Sequence, residues 1–167
     1  MLFFILNFLI QKQDLSLVHN KHPIRQWTAN HSRGLNFVYN TFERILIFLH
    51  PLIKFIGYDR LEKPFAFTER QIKGFLFDCK MCGQCALSST GMVCPMNCPK
   101  QLRNGPCGGV LGNGNCEVIT DMKCVWVQGY EGAVNMPGGI ERMREYSFPI
   151  DYRLFGRSSW LSAIRDK

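Results

Sequence analysis

Eight cysteines, Cys79, Cys82, Cys85, Cys94, Cys98, Cys107, Cys116 and Cys124, lie within one stretch of a 167-residue chain that has no others. Thiols this dense are disulfide partners or, once deprotonated, soft metal ligands. Disulfides need an oxidising compartment and usually a small secreted scaffold. The apolar start, Met1 to Ile10 (MLFFILNFLI), has no basic residue before it and no small-residue cleavage site after it, unlike a secretory signal. A run of ten residues is also short of the roughly 20 that span a bilayer. A reduced, cytoplasmic chain is the expectation, and there closely spaced cysteines are metal ligands more often than bridges.

Zinc and iron–sulfur clusters both take thiolates four to a site, so eight cysteines fill two sites. The histidines, His19, His22, His31 and His50, all lie upstream, which makes any site all-cysteine. Cys79-x2-Cys82-x2-Cys85 puts three thiolates on one tight turn, the opening of a ferredoxin-like run whose backbone N–H groups also face the sulfurs. Zinc ribbons carry two paired C-x2-C knuckles instead, and the later cysteines here are too widely spaced for that. Prolines follow Cys94 and Cys98 directly, and glycines from Gly83 to Gly114 would let backbone approach a bulky inorganic core. Spacing favours iron–sulfur over zinc and zinc over disulfides, and leaves all three open.

The run FDCKMCGQCALSSTGMVCPMNCPKQLRNGPCGG, followed by GNGNCEVITDMKCVWV, resembles the cysteine-rich family named after the C-terminal domain of methylenetetrahydrofolate reductase. The similarity covers roughly residues 33 to 165 and is densest from Phe77 to Trp126, with all eight cysteines on the family's pattern. It implies a small subunit beside a flavin-dependent reductase barrel in one-carbon folate metabolism. Two 4Fe-4S clusters held by the eight cysteines are the implied cofactors, with zinc the alternative, as part of a structural or maturation subunit without a redox role. Flavin is expected only on the partner chain, and the assembly is expected to be a hetero-oligomer. A barrel of about 250 residues cannot be built here, so catalysis would belong to the partner.

The ligands need elements to position them, and four segments are read. Residues 1–32 form a weakly organised leader, either an artefact of an upstream start codon, a flexible arm or an apolar hook. Residues 33–78 are helical. Val38, Phe42, Ile45, Leu49, Leu52, Ile53 and Ile56 recur at helical spacing and predict one amphipathic helix, kinked near Pro51 and closed by Gly57. Its apolar side is read as core. A membrane-facing or partner-facing helix is the alternative, since Ile47 and Phe48 widen the stripe. A second helix is predicted from Pro64 to Phe77, with Phe65, Ile72, Phe75 and Leu76 on its apolar side and Glu69 and Lys73 as an i, i+4 pair. It delivers Cys79.

Residues 79–128 form the metal-binding region, in which ligands replace a hydrophobic core. NCEVI and KCVWV read as a short β-hairpin holding Cys116 and Cys124. Trp126, Met96 and Val110 are expected to shield a site, and Arg103 to hold the loop beside it or face the partner. Residues 129–167 are glycine- and proline-rich, with at most one short helix near Ile140 to Tyr146, and are expected to wrap over the helices or a partner. The fold class is therefore small, α plus irregular.

The net charge of +7 is spread along the chain without a basic run, which argues against nucleic acid. Gly138-Gly139 lacks the context of a phosphate loop, and no histidine lies near the thiols to activate a nucleophile.

Overall fold

The computed structural model describes residues 24–146 and 149–165. Among these, seven α-helices and two 3-10 turns form, with no strand. The apolar decapeptide lies outside the described residues. The last part of the expected leader is ordered: Ile24–Asn30 is helix α1, buried through Arg25, Thr28 and Ala29.

Helix α2 spans Ser32–Phe48 and α3 spans His50–Ile56. The expected kink is a break at Leu49, and Pro51, two residues on, sits in the first turn of α3, where its missing N–H leaves no bond unmade. The backbone bonds Leu49→Ile45 and Ile53→Leu49 carry the helix across. Gly57, at φ 97°, closes α3 as expected. Helix α4, Tyr58–Phe77, starts six residues before the predicted Pro64 and keeps that proline inside. Tyr58, Leu61 and Phe65 pack beside the cluster Leu46, Ile53, Trp160, Leu161 and Ile164, and that contact offsets the bond the proline removes.

Which sides these helices bury differs from expectation. Val38, Ile45 and Leu52 are half or more exposed, while Leu46 and Ile53 point inward. On α4, Ile72 and Phe75 face out, and Glu69 and Lys73 are each 1% exposed. Periodicity located the helices but not their inner faces, because the ion pair finds polar partners inside.

Those partners come from the tail, which wraps back as expected. After α6, Gly139–Glu145, and a turn at Tyr152–Leu154, helix α7, Ser159–Arg165, packs on α2 and α4. Trp160 meets Phe42 edge-on at 4.7 Å between centroids.

The region from Cys79 to Cys124 is mostly turns, but it has apolar clusters of its own. One contains Cys82, Leu87, Met92, Cys94, Met96 and Met136; another contains Val93, Cys116, Ile119, Met122 and Val125. The predicted hairpin is absent. Only isolated bridges form, Val110 with Cys116 and Asn115 with Lys123. The residues read as its second strand enter helix α5, Val125–Val134. Gly129 and Gly132 conceal that helix in the sequence, yet they are what lets it dock. A Cβ at Gly132 would overlap the backbone of Gly91, and one at Gly91, where φ is 62°, would overlap Gly129. Likewise Gly83 is crowded by the Leu154 backbone of the tail. Gly91 and Gly83 thus serve chain crossings.

Candidate metal centre

Helix α4 ends at Asp78, whose left-handed backbone (φ 48°) turns the chain so that Cys79 N–H returns to Lys73 O at 3.2 Å. The next loop is pinned by the tail. Gly156 N–H donates to Met81 O at 2.7 Å, and Asp151 N–H to Gln84 Oε1 at 2.9 Å. Cys79, Cys82, Cys85 and Cys94 thereby line one small cavity of about 20 Å³. All eight cysteines are free thiols.

Within the cavity, Cys94 hydrogen-bonds to Cys79. The bond to Cys94 is the main reason the Cys79 thiol is lowered to about 7, with Lys73 helping, while the bond to Cys79, burial and the neighbouring sulfurs push Cys94 well up. The pair is thus set to hold one proton, on Cys94.

Three cations surround these sulfurs. Arg103, 4% exposed, donates from Nη1 to Cys82 Sγ at 2.8 Å, from Nη2 to Gln84 O, and from Nε to the Tyr146 hydroxyl at 2.7 Å. Burial lowers its pKa, but the neighbouring Cys82 and the hydrogen bonds to Cys82 and Tyr146 outweigh that and hold it above its ordinary value. Lys73 behaves alike: burial lowers it, and Cys85 and Glu69 raise it further. Arg25 ends lower, since burial exceeds the pull of Asp78 and Cys94. Tyr39 is pushed up by burial and by its hydrogen bond to Cys85.

The other cysteines form a looser group. Cys98 feels the charges of Cys116 and Cys107, though burial chiefly raises its pKa. Cys107 is exposed, with Lys100 Nζ 3.7 Å from its sulfur and Lys100 also paired with Glu117. Cys116 and Cys124 flank the Asn115–Lys123 bridge, joined by Cys116 N–H→Met122 O and Cys124 N–H→Gly114 O. Side chains alternate along paired backbones, so both thiols fall on one side of the bridge.

One local pattern recurs in both groups. The N–H two residues on donates to the sulfur at four cysteines: Met81 to Cys79 at 3.4 Å, Gly109 to Cys107 at 3.4 Å, Met96 to Cys94, and Lys100 to Cys98. Such bonds favour the thiolate over the thiol.

Trp126 is 5% exposed and donates from Nε1 to Leu102 O at 3.2 Å. It lines a separate groove with Tyr130, Met143 and Tyr146, not the four-thiol cavity. Met96 packs with Cys82 and Cys94, and Val110 bridges to Cys116. The sequence reading missed Lys73, Arg25 and Tyr39. The spacing of Glu69 and Lys73 one turn ahead of Cys79 was the available signal.

Among the described residues, no three His, Cys, Asp or Glu side chains converge as a ready site for a metal ion. In chemistry and charge the cavity nonetheless suits a group bound by four thiolates, since an anionic centre would sit among three cations. Its volume is that of about one water molecule, so any larger group would have to break the Cys94–Cys79 hydrogen bond and spread the sulfurs.

No helix among the described residues is long and apolar enough to cross a membrane. Residues 58–153, more than half of the chain, match the family model described as methylene-tetrahydrofolate reductase C terminal. No curated protein and no solved structure matched the chain.

Proposed function

Because this chain belongs to the methylene-tetrahydrofolate reductase C-terminal family, we propose that it is a cytoplasmic iron–sulfur subunit of a flavin-dependent methylenetetrahydrofolate reductase. Cys79, Cys82, Cys85 and Cys94 would hold one 4Fe-4S cluster, and Cys98, Cys107, Cys116 and Cys124 the other. Such clusters supply one-electron storage, and the hydride chemistry of folate reduction belongs to the flavin of the partner.

The chain's own residues bind, neutralise and orient. Arg103 and Lys73 offset thiolate charge, and Arg103 ties Cys82 to Tyr146. The backbone N–H groups of Met81, Met96, Lys100 and Gly109 direct donors at sulfur, a contact that tunes cluster potential. The observation that carries the reading is that Cys79, Cys82, Cys85 and Cys94 line one cavity beside Arg103, Lys73 and Arg25, with backbone N–H groups directed at Cys79 and Cys94.

Anaerobic purification followed by iron, zinc and acid-labile sulfide analysis tests it. Iron and sulfide near eight each per chain are expected from two four-iron clusters. Stoichiometric zinc without sulfide would replace the reading with that of a structural zinc subunit.

A further inference from the structure

The exposed apolar side chains of α2 and α3 are not scattered. Ile45, Phe48, Leu52 and Phe55 follow one another at three- or four-residue steps, and Val38 lies two turns before Ile45, which places them on one helical stripe. Phe48 is 81% exposed and Phe55 89%. The stripe continues onto α4, because Val38 and the exposed Ile72 share the lining of a groove of about 210 Å³ between the helices. Phe75, one turn beyond Ile72, is 67% exposed. Soluble surfaces do not normally leave so many large apolar groups contiguous unless something covers them. Helices α2 and α3 precede the matched residues 58–153, so the family match assigns this stripe nothing.

Charge selects the occupant. The exposed basic residues Arg33, Arg44 and Lys54 lie on the same two helices, and Arg70 lies on α4. A second copy laid face to face would oppose like charges, in a chain of net charge +7. Shape separates a protein from a lipid surface. Projecting phenylalanines beside a groove match the anchors and pockets of a protein interface, whereas a lipid surface needs no hollow.

The groove also has a position that matters. Its lining includes Tyr39 and Lys73, and both interact with Cys85 of the four-thiol cavity. We infer that the stripe on α2 and α3, with the groove against α4, is where the reductase catalytic chain docks, through an apolar surface with an acidic rim. A side chain inserted in the groove lies against Tyr39, which hydrogen-bonds Cys85, and Lys73, whose charge acts on it. This rests on the subunit reading proposed above.

The test uses the full chain, anaerobically purified, and the reductase catalytic chain of the same organism. Phe48→Ser/Phe55→Ser is expected to weaken their association by at least ~30-fold, the effect of removing anchoring aromatics. Arg44→Glu/Lys54→Glu is expected to weaken it by ~10-fold or more at low salt and by less at high salt, as screening predicts. Circular dichroism and cluster content unchanged in both variants exclude misfolding. If the wild-type chain binds the reductase and both variants bind equally well, the docking face is overturned while the subunit reading stands. If the wild-type chain does not bind at all, the subunit reading falls and takes this inference with it. Flotation with phosphatidylglycerol vesicles, or self-association in sedimentation, that is lost in Phe48→Ser/Phe55→Ser would overturn the assignment in favour of a lipid surface or a second copy.

Discussion

Helices α2, α4 and α7 enclose an ion pair, Glu69 with Lys73, beside Trp160, Leu161 and Ile164, while residues 79–124 enclose thiols among turns and methionines. On the helical side the buried ion pair finds its partners within the chain. Glu69 accepts from Lys73 Nζ at 2.8 Å, Ser158 Oγ at 2.7 Å and Ser159 Oγ, and Lys73 lies about 5 Å from the ring centres of Tyr39 and Trp160. The cysteine side gathers Arg103, Lys73 and Arg25 around four thiols. A closed network fixes a fold. An open set of thiols and cations leaves a place for something to bind, and Lys73 belongs to both.

Breaking the closed network should have the largest effect. Glu69→Gln keeps the side-chain shape but leaves the Lys73 ammonium buried without its carboxylate. Removing one partner of a buried pair costs about 3–5 kcal/mol, measurable as a lower urea midpoint at unchanged slope. The paired change Glu69→Leu/Lys73→Met should recover much of that loss, because neither charge is then stranded. No recovery would mean that Lys73 is held chiefly by the thiols.

The second effect tests how the two sides are joined. Gly132→Ala places a Cβ against the Gly91 backbone, where no flexible side chain can yield. Overpacking of this kind costs about 1–3 kcal/mol, and the loss should appear as amide exchange in α5 and residues 86–93 before α4 opens. Equal loosening of α4 would show that the chain unfolds as one unit.

Legibility in the sequence followed the same division. Helical spacing revealed α2, α3, α4 and α6, and Gly57 revealed a boundary, because those signals are local. The buried faces were not legible: Glu69 and Lys73 look like a surface pair until Ser158 and Ser159, some 90 residues away, supply partners. Helix α5 was hidden because Gly129 and Gly132 read as breakers, although Val125, Gly129, Gly132 and Ala133 keep the helical period that buries them. For the site, the cysteines and Arg103 could be named from spacing and motif. The grouping of Cys79, Cys82 and Cys85 with Cys94 depends on chain reversals at Asp78 and Gly91 that no periodicity encodes.

The smallest effect is the sharpest probe of the open side. Cys79 is lowered to about 7, first by its bond from Cys94 and then by the Met81 N–H and Lys73. In the metal-free protein its alkylation by iodoacetamide should therefore rise with pH around 7, whereas an unperturbed thiol near 8.5 is still mostly protonated there. The sign for stability follows. A depressed folded pKa contributes stability at pH values above the unfolded one and loses it as pH falls through about 7. Cys94, shifted upward, opposes this at high pH, so the gain should be confined to the window between the two. Cys94→Ala removes the donor, and Lys73→Met removes the cation; each should move the Cys79 reactivity midpoint upward, the first by more. If neither moves it, the low value comes from the Met81 N–H alone, and the open side is poised by its backbone and not by the helical half.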